Sequence, residues 1–199
     1  MGSGDTEATR RAILDATRDL LDRPGATTVG MERIAARAGY SRQAIYRHFG
    51  SRAGLLKAVL ADIDERGAAA AAVSQVLDAG EPAAVIEALV AWWAEYVAGF
   101  AGTARGVYTA RASDPALAAA WEDRMEALMG VCRLVVDRCA EAGALRLELG
   151  RPAAAETLWA LLSVPLWDQL IGDGVWSPAR YRRRIGLAAR ATLLEPGEG

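Results

Sequence analysis

The residues best placed to do chemistry lie between Arg33 and Lys57. Arg33, Arg37, Arg42, Arg47, Arg52 and Lys57 all fall there, and residues 33–60 contain no acid. Interleaved with them are Gln43, Ala44, Tyr46 and His48. Such a set suits nucleic acid. Cations neutralise phosphates, Arg can bond guanine bidentately, Gln can bond adenine, and an Ala methyl can touch thymine. A solvated basic face is the plainer alternative on charge alone. Other chemistries lack their parts. His48 is the only histidine, and neither an orienting acid with a nucleophile nor a set of metal ligands accompanies it in sequence. Cys132 and Cys139 stand seven apart, which is not a zinc spacing and reads as two small apolar residues on one helix face. There is no Gly-rich phosphate loop, no G-x-S-x-G and no H-E-x-x-H. No catalytic residue, metal or cofactor is expected, and an enzyme is disfavoured.

The whole chain hides this basic stretch. Its 199 residues carry a net charge of −2, which argues against a nucleic-acid partner until it is divided. Residues 1–60 hold ten Lys/Arg against six acids, and the remainder thirteen against nineteen. A basic module on an acidic body follows. The 52% apolar content excludes a disordered chain. No apolar run approaches the roughly 18 residues of a membrane span, and Met1–Arg11 lacks a secretory apolar region. Two cysteines suit a reducing compartment. A cytoplasmic protein with no membrane partner is therefore expected.

The elements that position these residues are helices. Residues 6–22 place Ala8, Ala12, Ile13, Ala16, Leu20 and Leu21 on one stripe, and Arg23-Pro24-Gly25 stops it. Short helices follow over Met31–Ala38 and Arg42–Phe49, separated by Gly39 and capped by Ser41. Ser51 caps a run from Arg52 to about Val76 that carries Leu55, Leu56, Val59, Leu60 and Ile63. Further helices are predicted over about 82–100, 104–111, 115–142, 152–171 and 178–194, with Pro165 kinking the fourth of these. Strand signals are absent. The fold expected is all-α, of about nine helices: a three-helix N-terminal domain over residues 1–52, a connecting helix over 52–76, and a C-terminal bundle over 77–199.

Residues 33–46 have the layout of a helix-turn-helix. Gly39 permits the left-handed turn, Ala35 is small at the crossing, and Ile34 and Ile45 can pack between the helices. The second helix would enter the major groove. The run from Ile34 through Ala38-Gly39-Tyr40-Ser41 to Ile45-Tyr46-Arg47-His48-Phe49-Gly50-Ser51-Arg52 and Leu55-Leu56 resembles the N-terminal domain of the TetR (tetracycline-repressor-like) family. The resemblance covers about residues 11–60. It implies that Ser41 caps the recognition helix near a phosphate, that Arg42, Gln43 and Ala44 read bases, and that Tyr46 and His48 contact phosphates. Arg47 lies on the same helix, Arg52 keeps the charge of the family's usual Lys, and Thr28 and Arg33 are further candidate DNA contacts. Three residues depart from the pattern: Tyr40 for Val, Gly30 for a capping Ser or Thr, and the acid Glu32 on the DNA-proximal side.

The acidic body carries aromatic-rich faces: Val85, Leu89, Trp92, Trp93, Tyr96 and Phe100 on one helix, Trp121 and Met125 on the next, Trp159 on a third. A stripe of this kind is usually core. Clustered Trp, Tyr and Met also line apolar cavities. In the resembled family a ligand pocket lies among the middle helices, which makes Trp92, Tyr96, Phe100, Trp121, Met125 and Trp159 the candidate ligand residues. The same resemblance implies a homodimer through the last two long helices, with Ala153–Ala155, Ala188, Ala189 and Ala191 allowing close approach. Together these readings predict a homodimeric regulator, most simply a repressor, that binds a double-stranded DNA operator and leaves it on binding a small, largely apolar effector. Two rivals stay open: a protein-binding adaptor with a degenerate reading head, and a small helical carrier or enzyme using the aromatic cavity.

Overall fold

The computed structural model describes residues 3–23, 29–67 and 69–196. Among these no strand forms, and a single antiparallel bridge joins Leu145 to Leu194. The chain is all-α, as its periodicity predicts. It divides into two compact units, neither continuous in sequence: Met1–Gly67 with Phe100–Glu122, and Ala68–Gly99 with Asp123–Gly199.

The first unit holds α1 (Ser3–Leu21), α2 (Met31–Ala38), α3 (Arg42–Phe49), α4 (Arg52–Gly67), α7 (Ala101–Ala110) and the start of α8 (Pro115–Glu141). Its core is the apolar stripe of α1 (Ile13, Leu14, Leu20, Leu21) against Leu55, Leu56 and Val59 of α4, all at most 4% exposed. Ala8, assigned to that stripe by periodicity, is exposed, one turn beyond the part of α1 that is covered. The end of α1 meets the start of α7 with no clearance. A Cβ on Gly102 would lie 1.9 Å from the Leu21 carbonyl oxygen. The Gly102 N–H instead donates to the Asp22 carboxylate at 3.1 Å, a partner for one of the amides left open at a helix start. Desolvation raises the Asp22 pKa, opposed by the backbone N–H groups of Thr103 and Gly102.

The second unit holds α5 (Ala69–Leu77), α6 (Pro82–Ala98), the rest of α8, α9 (Arg151–Leu161), α10 (Val164–Trp167), a π turn over Asp168–Gly172, and α11 (Pro178–Leu193). Val85, Ile86, Leu89 and Val97 of α6 are fully buried or nearly so, as are Leu158 of α9 and Tyr181 and Ala189 of α11. Ion pairs from Arg182 to Glu95 (3.4 Å) and from Arg190 to Glu87 run between α11 and α6.

One expected helix is replaced by two. Over 52–76 the described residues are helical, as α4 and α5, with residue 68 outside the described residues. The run from 152 to 171 is not one kinked helix. It ends at Leu161 and restarts at Val164, with Pro165 in the first turn of α10, where a missing N–H costs nothing. In a continuous helix the residue at 165 would have donated to the Leu161 carbonyl. That carbonyl instead accepts from the Tyr181 hydroxyl at 3.4 Å. The break thus takes one proline and one phenol to stabilise, and only the proline was conspicuous in the sequence.

Candidate nucleic-acid interface

The recognition helix is set by its caps. Gly39 closes α2 in the left-handed conformation (φ 76°, ψ 22°), its N–H donating to the Ala35 carbonyl. Ser41 then opens α3 from the extended region, and its Oγ accepts from the Ala44 N–H at 3.1 Å. Ser51 does the same for α4, accepting from the Gly54 N–H at 3.0 Å. Gly30 at the start of α2 supplies no side-chain cap, so the departure noted in the sequence has a structural counterpart. Ile45 of α3 is fully buried, and Ile34 and Ala35 of α2 are buried as well, as the helix-turn-helix layout requires.

With Ile45 turned inward, the opposite face of α3 presents Arg42, Gln43, Tyr46 and Arg47, all exposed. These lie at i and i+4, so two polar pairs share one ridge. Ala44 and His48 flank it half-buried. Arg33 on α2 is exposed, and Arg52 at the start of α4 is half-buried. Thr28 lies outside the described residues. The face therefore brings together the candidate base readers and most of the candidate phosphate contacts.

Two cations of the basic stretch are already engaged. Arg37 reaches Asp19 of α1 at 2.6 Å, and Arg42 reaches Glu32 of α2 at 2.9 Å, Nη1 to Oε1. An acid-free run of sequence is not an acid-free surface, because acids from elsewhere fold against it. Tyr40 does not crowd the turn. It stands 38% exposed, and its hydroxyl accepts from Thr9 Oγ1 at 3.4 Å, tying the turn back to α1. The Arg10 guanidinium lies 5.8 Å from the centre of the Phe49 ring, a cation–π contact at the end of α3.

The candidate ligand residues divide between the units. In the second, Trp92 and Tyr96 are half-buried and stacked at 5.2 Å, with Arg124 donating to the Tyr96 hydroxyl at 3.3 Å. Trp159 donates its indole N–H to the Met125 carbonyl at 3.1 Å, which fastens α9 to α8. In the first, Phe100 is buried, and Trp121 meets Tyr108 edge-on at 5.1 Å. Periodicity missed Tyr181 and Trp167, a buried T-shaped pair 4.7 Å apart. The signal was present in the spacing of Tyr181, Ile185, Ala189 and Leu193 on α11. Burial raises the Tyr181 pKa, opposed by the Trp93 indole N–H of the same unit. Cys132 and Cys139 are buried free thiols, as expected, and burial pushes their pKa up to about 12 and about 11.

A capped helix-turn-helix with an exposed basic recognition face, in an all-α chain, defines the class of helix-turn-helix proteins. The family model for bacterial regulatory proteins of the tetR family matches residues 13–59. That is the α1-to-α4 segment just described, and the chain is similar to the TetR family over that segment. The HTH-type transcriptional regulator SrpR of Pseudomonas putida is 36% identical over 59 residues, a match spanning 30% of this chain and 28% of that regulator. Solved structures share the fold across nearly the whole chain. A TetR-family regulator from Mesorhizobium loti superposes with a TM-score of 0.71 at 20% identity, covering 94% of this chain and 96% of the other. SmeT, the repressor of the Stenotrophomonas maltophilia multidrug efflux pump SmeDEF, superposes in its triclosan complex with a TM-score of 0.69 at 22% identity, covering 96% and 93%. Among the described residues no single helix is long and apolar enough to cross a membrane.

Proposed function

We infer that the protein is a homodimeric, ligand-responsive transcriptional repressor acting on cytoplasmic DNA. The observation that carries this reading is the exposed ridge of Arg42, Gln43, Tyr46 and Arg47 on a helix capped by Ser41. The family match over 13–59 supports it. Arg42, Gln43 and Ala44 read bases. Arg33, Ser41, Tyr46, Arg47, His48 and Arg52 hold phosphates. Two such helices related by a two-fold axis would address half-sites about one DNA turn apart, or a multiple of it. Leu187, Ala188 and Ala191 are exposed on α11 and support the dimer face expected there, whereas Ala154, Ala155 and Ala189 are already used inside the subunit.

The effector is an apolar, planar molecule that stacks on the half-exposed Trp92–Tyr96 pair. The triclosan-bound relative supports this class of ligand. Ligand acts by population shift: it favours the conformer that binds operator poorly and lowers operator affinity by the coupling energy. Gel retardation on DNA from immediately upstream of the chain's own gene tests the reading. Specific retardation relieved by such a ligand is the expected result. No specific retardation at any low salt concentration overturns it.

A further inference from the structure

Glu32 is the one acid on the DNA-proximal side of α2, and in a phosphate-binding domain it is misplaced by charge. Its carboxylate sits in the first turn of α2 and meets Arg42, the first residue of α3, at 2.9 Å. Both side chains are largely exposed, at 79% and 54%, so the pair adds little to stability. Its consequence is geometric. The contact is single, Nη1 to Oε1, and leaves the Nε and Nη2 donors of the guanidinium uncommitted by this bond. Those two donors form the side-on edge that bonds a carboxylate, or guanine O6 and N7, in parallel. The backbone beneath Arg42 is fixed, since Ser41 caps α3 and Gly39 sets the turn before it. A long side chain that would otherwise sample many rotamers is held at its far end by Glu32 and at its base by the cap.

We propose that Glu32 is a specificity-determining residue of the reading head. It positions Arg42 to read a guanine with its free edge, and its own charge discriminates against binding through phosphates alone. The pair trades affinity for discrimination. On random duplex Arg42 is partly neutralised and Glu32 repels the backbone. On the right base the oriented edge recovers two hydrogen bonds. A wrong base at that position leaves the guanidinium facing a groove edge that it cannot satisfy in the same geometry. This inference rests on the operator-binding reading above.

The experiment selects duplexes from a random library with the full-length wild-type protein. It then measures binding of wild type, Glu32→Gln, Arg42→Ala and the double variant to the selected site, to that site with each base pair exchanged, and to random duplex, over a range of salt. Glu32→Gln is expected to bind random duplex more tightly than wild type. It is also expected to lose roughly two- to fivefold of its preference for G·C at one position per half-site. Arg42→Ala loses preference at that same position, and adding Glu32→Gln to it costs no further preference. Unchanged discrimination by Glu32→Gln, or a loss at a different position from Arg42→Ala, overturns the inference and leaves the regulator reading intact. Failure of the wild type to enrich any sequence overturns both. The exposed Glu32 carries no packing, so thermal unfolding of the variant should match wild type and confirm that a folded domain was measured.

Discussion

The two compact units use their side chains in opposite ways. In the first, the residues argued to act stand exposed on a short helix, and the buried ones beneath them are ordinary Ile, Leu and Ala. In the second, the distinctive residues are themselves half-buried or buried, and many have structural partners: Trp159 to the Met125 carbonyl, Tyr181 to the Leu161 carbonyl, Trp167 edge-on to Tyr181. A reading surface has to offer polar groups to solvent before DNA arrives, so position alone marks it. An apolar helical core looks alike whether or not it holds the proposed ligand, so residue type alone does not separate lining from packing.

Glycine substitutions give the largest separation between the units. Gly102→Ala puts a methyl group within 1.9 Å of the Leu21 carbonyl oxygen, where the α1 and α7 backbones touch. A destabilisation of about 3 kcal/mol is expected by urea unfolding, with operator affinity lost as the first unit loosens. Gly130→Ala lies in α8 within the second unit with nothing within 4 Å of the new methyl. It should stabilise by about 0.5–1 kcal/mol through helix propensity. Equal effects for the two would remove the claim that α1 and α7 are in unforgiving contact.

Within the recognition face the expected division is between base reading and phosphate holding. Gln43→Ala should change preference at one base pair by about 1–3 kcal/mol, while Arg52→Ala should weaken all duplexes alike and reduce the salt slope by about 1. Equal loss on every sequence for both variants would mean that the ridge of α3 does not read bases.

The second unit has an alkaline weakness that the N-terminal stretch 1–60, which holds no cysteine, does not share. Burial raises the thiols of Cys132 and Cys139 from the usual 9.0 to about 12 and about 11. A raised folded pKa means stability fully present below the unfolded value and lost as pH rises through the folded one. Between about pH 9 and 11 each thiol should cost about 2 kcal/mol, seen as a falling urea midpoint. Cys132→Ala with Cys139→Ala lowers stability at neutral pH but should flatten that decline. An unchanged slope in the double variant would assign the alkaline loss to other groups.

What the sequence made legible follows the same contrast. The helix-turn-helix was readable because its determinants are local: Gly39 needs only its own φ, Ser41 only the amide three residues on, and Ile34 and Ile45 only helical spacing. The Glu32–Arg42 and Asp19–Arg37 contacts of the head were not readable, since an acid-free run says nothing of the acids before it that fold onto it. In the body, periodicity found the apolar faces of α6, α8 and α9. It gave one helix where Pro165 forces two, because the phenol that satisfies the freed carbonyl comes from α11, sixteen residues beyond the proline. Long-range partners of this kind leave no mark at the residue they rescue.

The smallest expected effects concern helix caps, and they test how far the head depends on local chemistry. Ser41 accepts from the Ala44 N–H, and Gly30 at the equivalent position of α2 supplies no side chain to do so. Ser41→Ala should cost about 1 kcal/mol in the unfolding of the protein. Gly30→Ser should gain only a few tenths of a kcal/mol (~0.3), since glycine is itself a tolerable cap. Gly30 is in the extended region (φ −73°, ψ 150°) with nothing within 4 Å of a new Cβ, so Ser fits without strain. If the two changes prove equal and opposite, the caps act on stability alone. If Ser41→Ala also weakens operator binding beyond its stability cost, while Gly30→Ser leaves it unchanged, the Ser41 cap sets the pose of α3 on DNA and the head is preorganised from its own sequence.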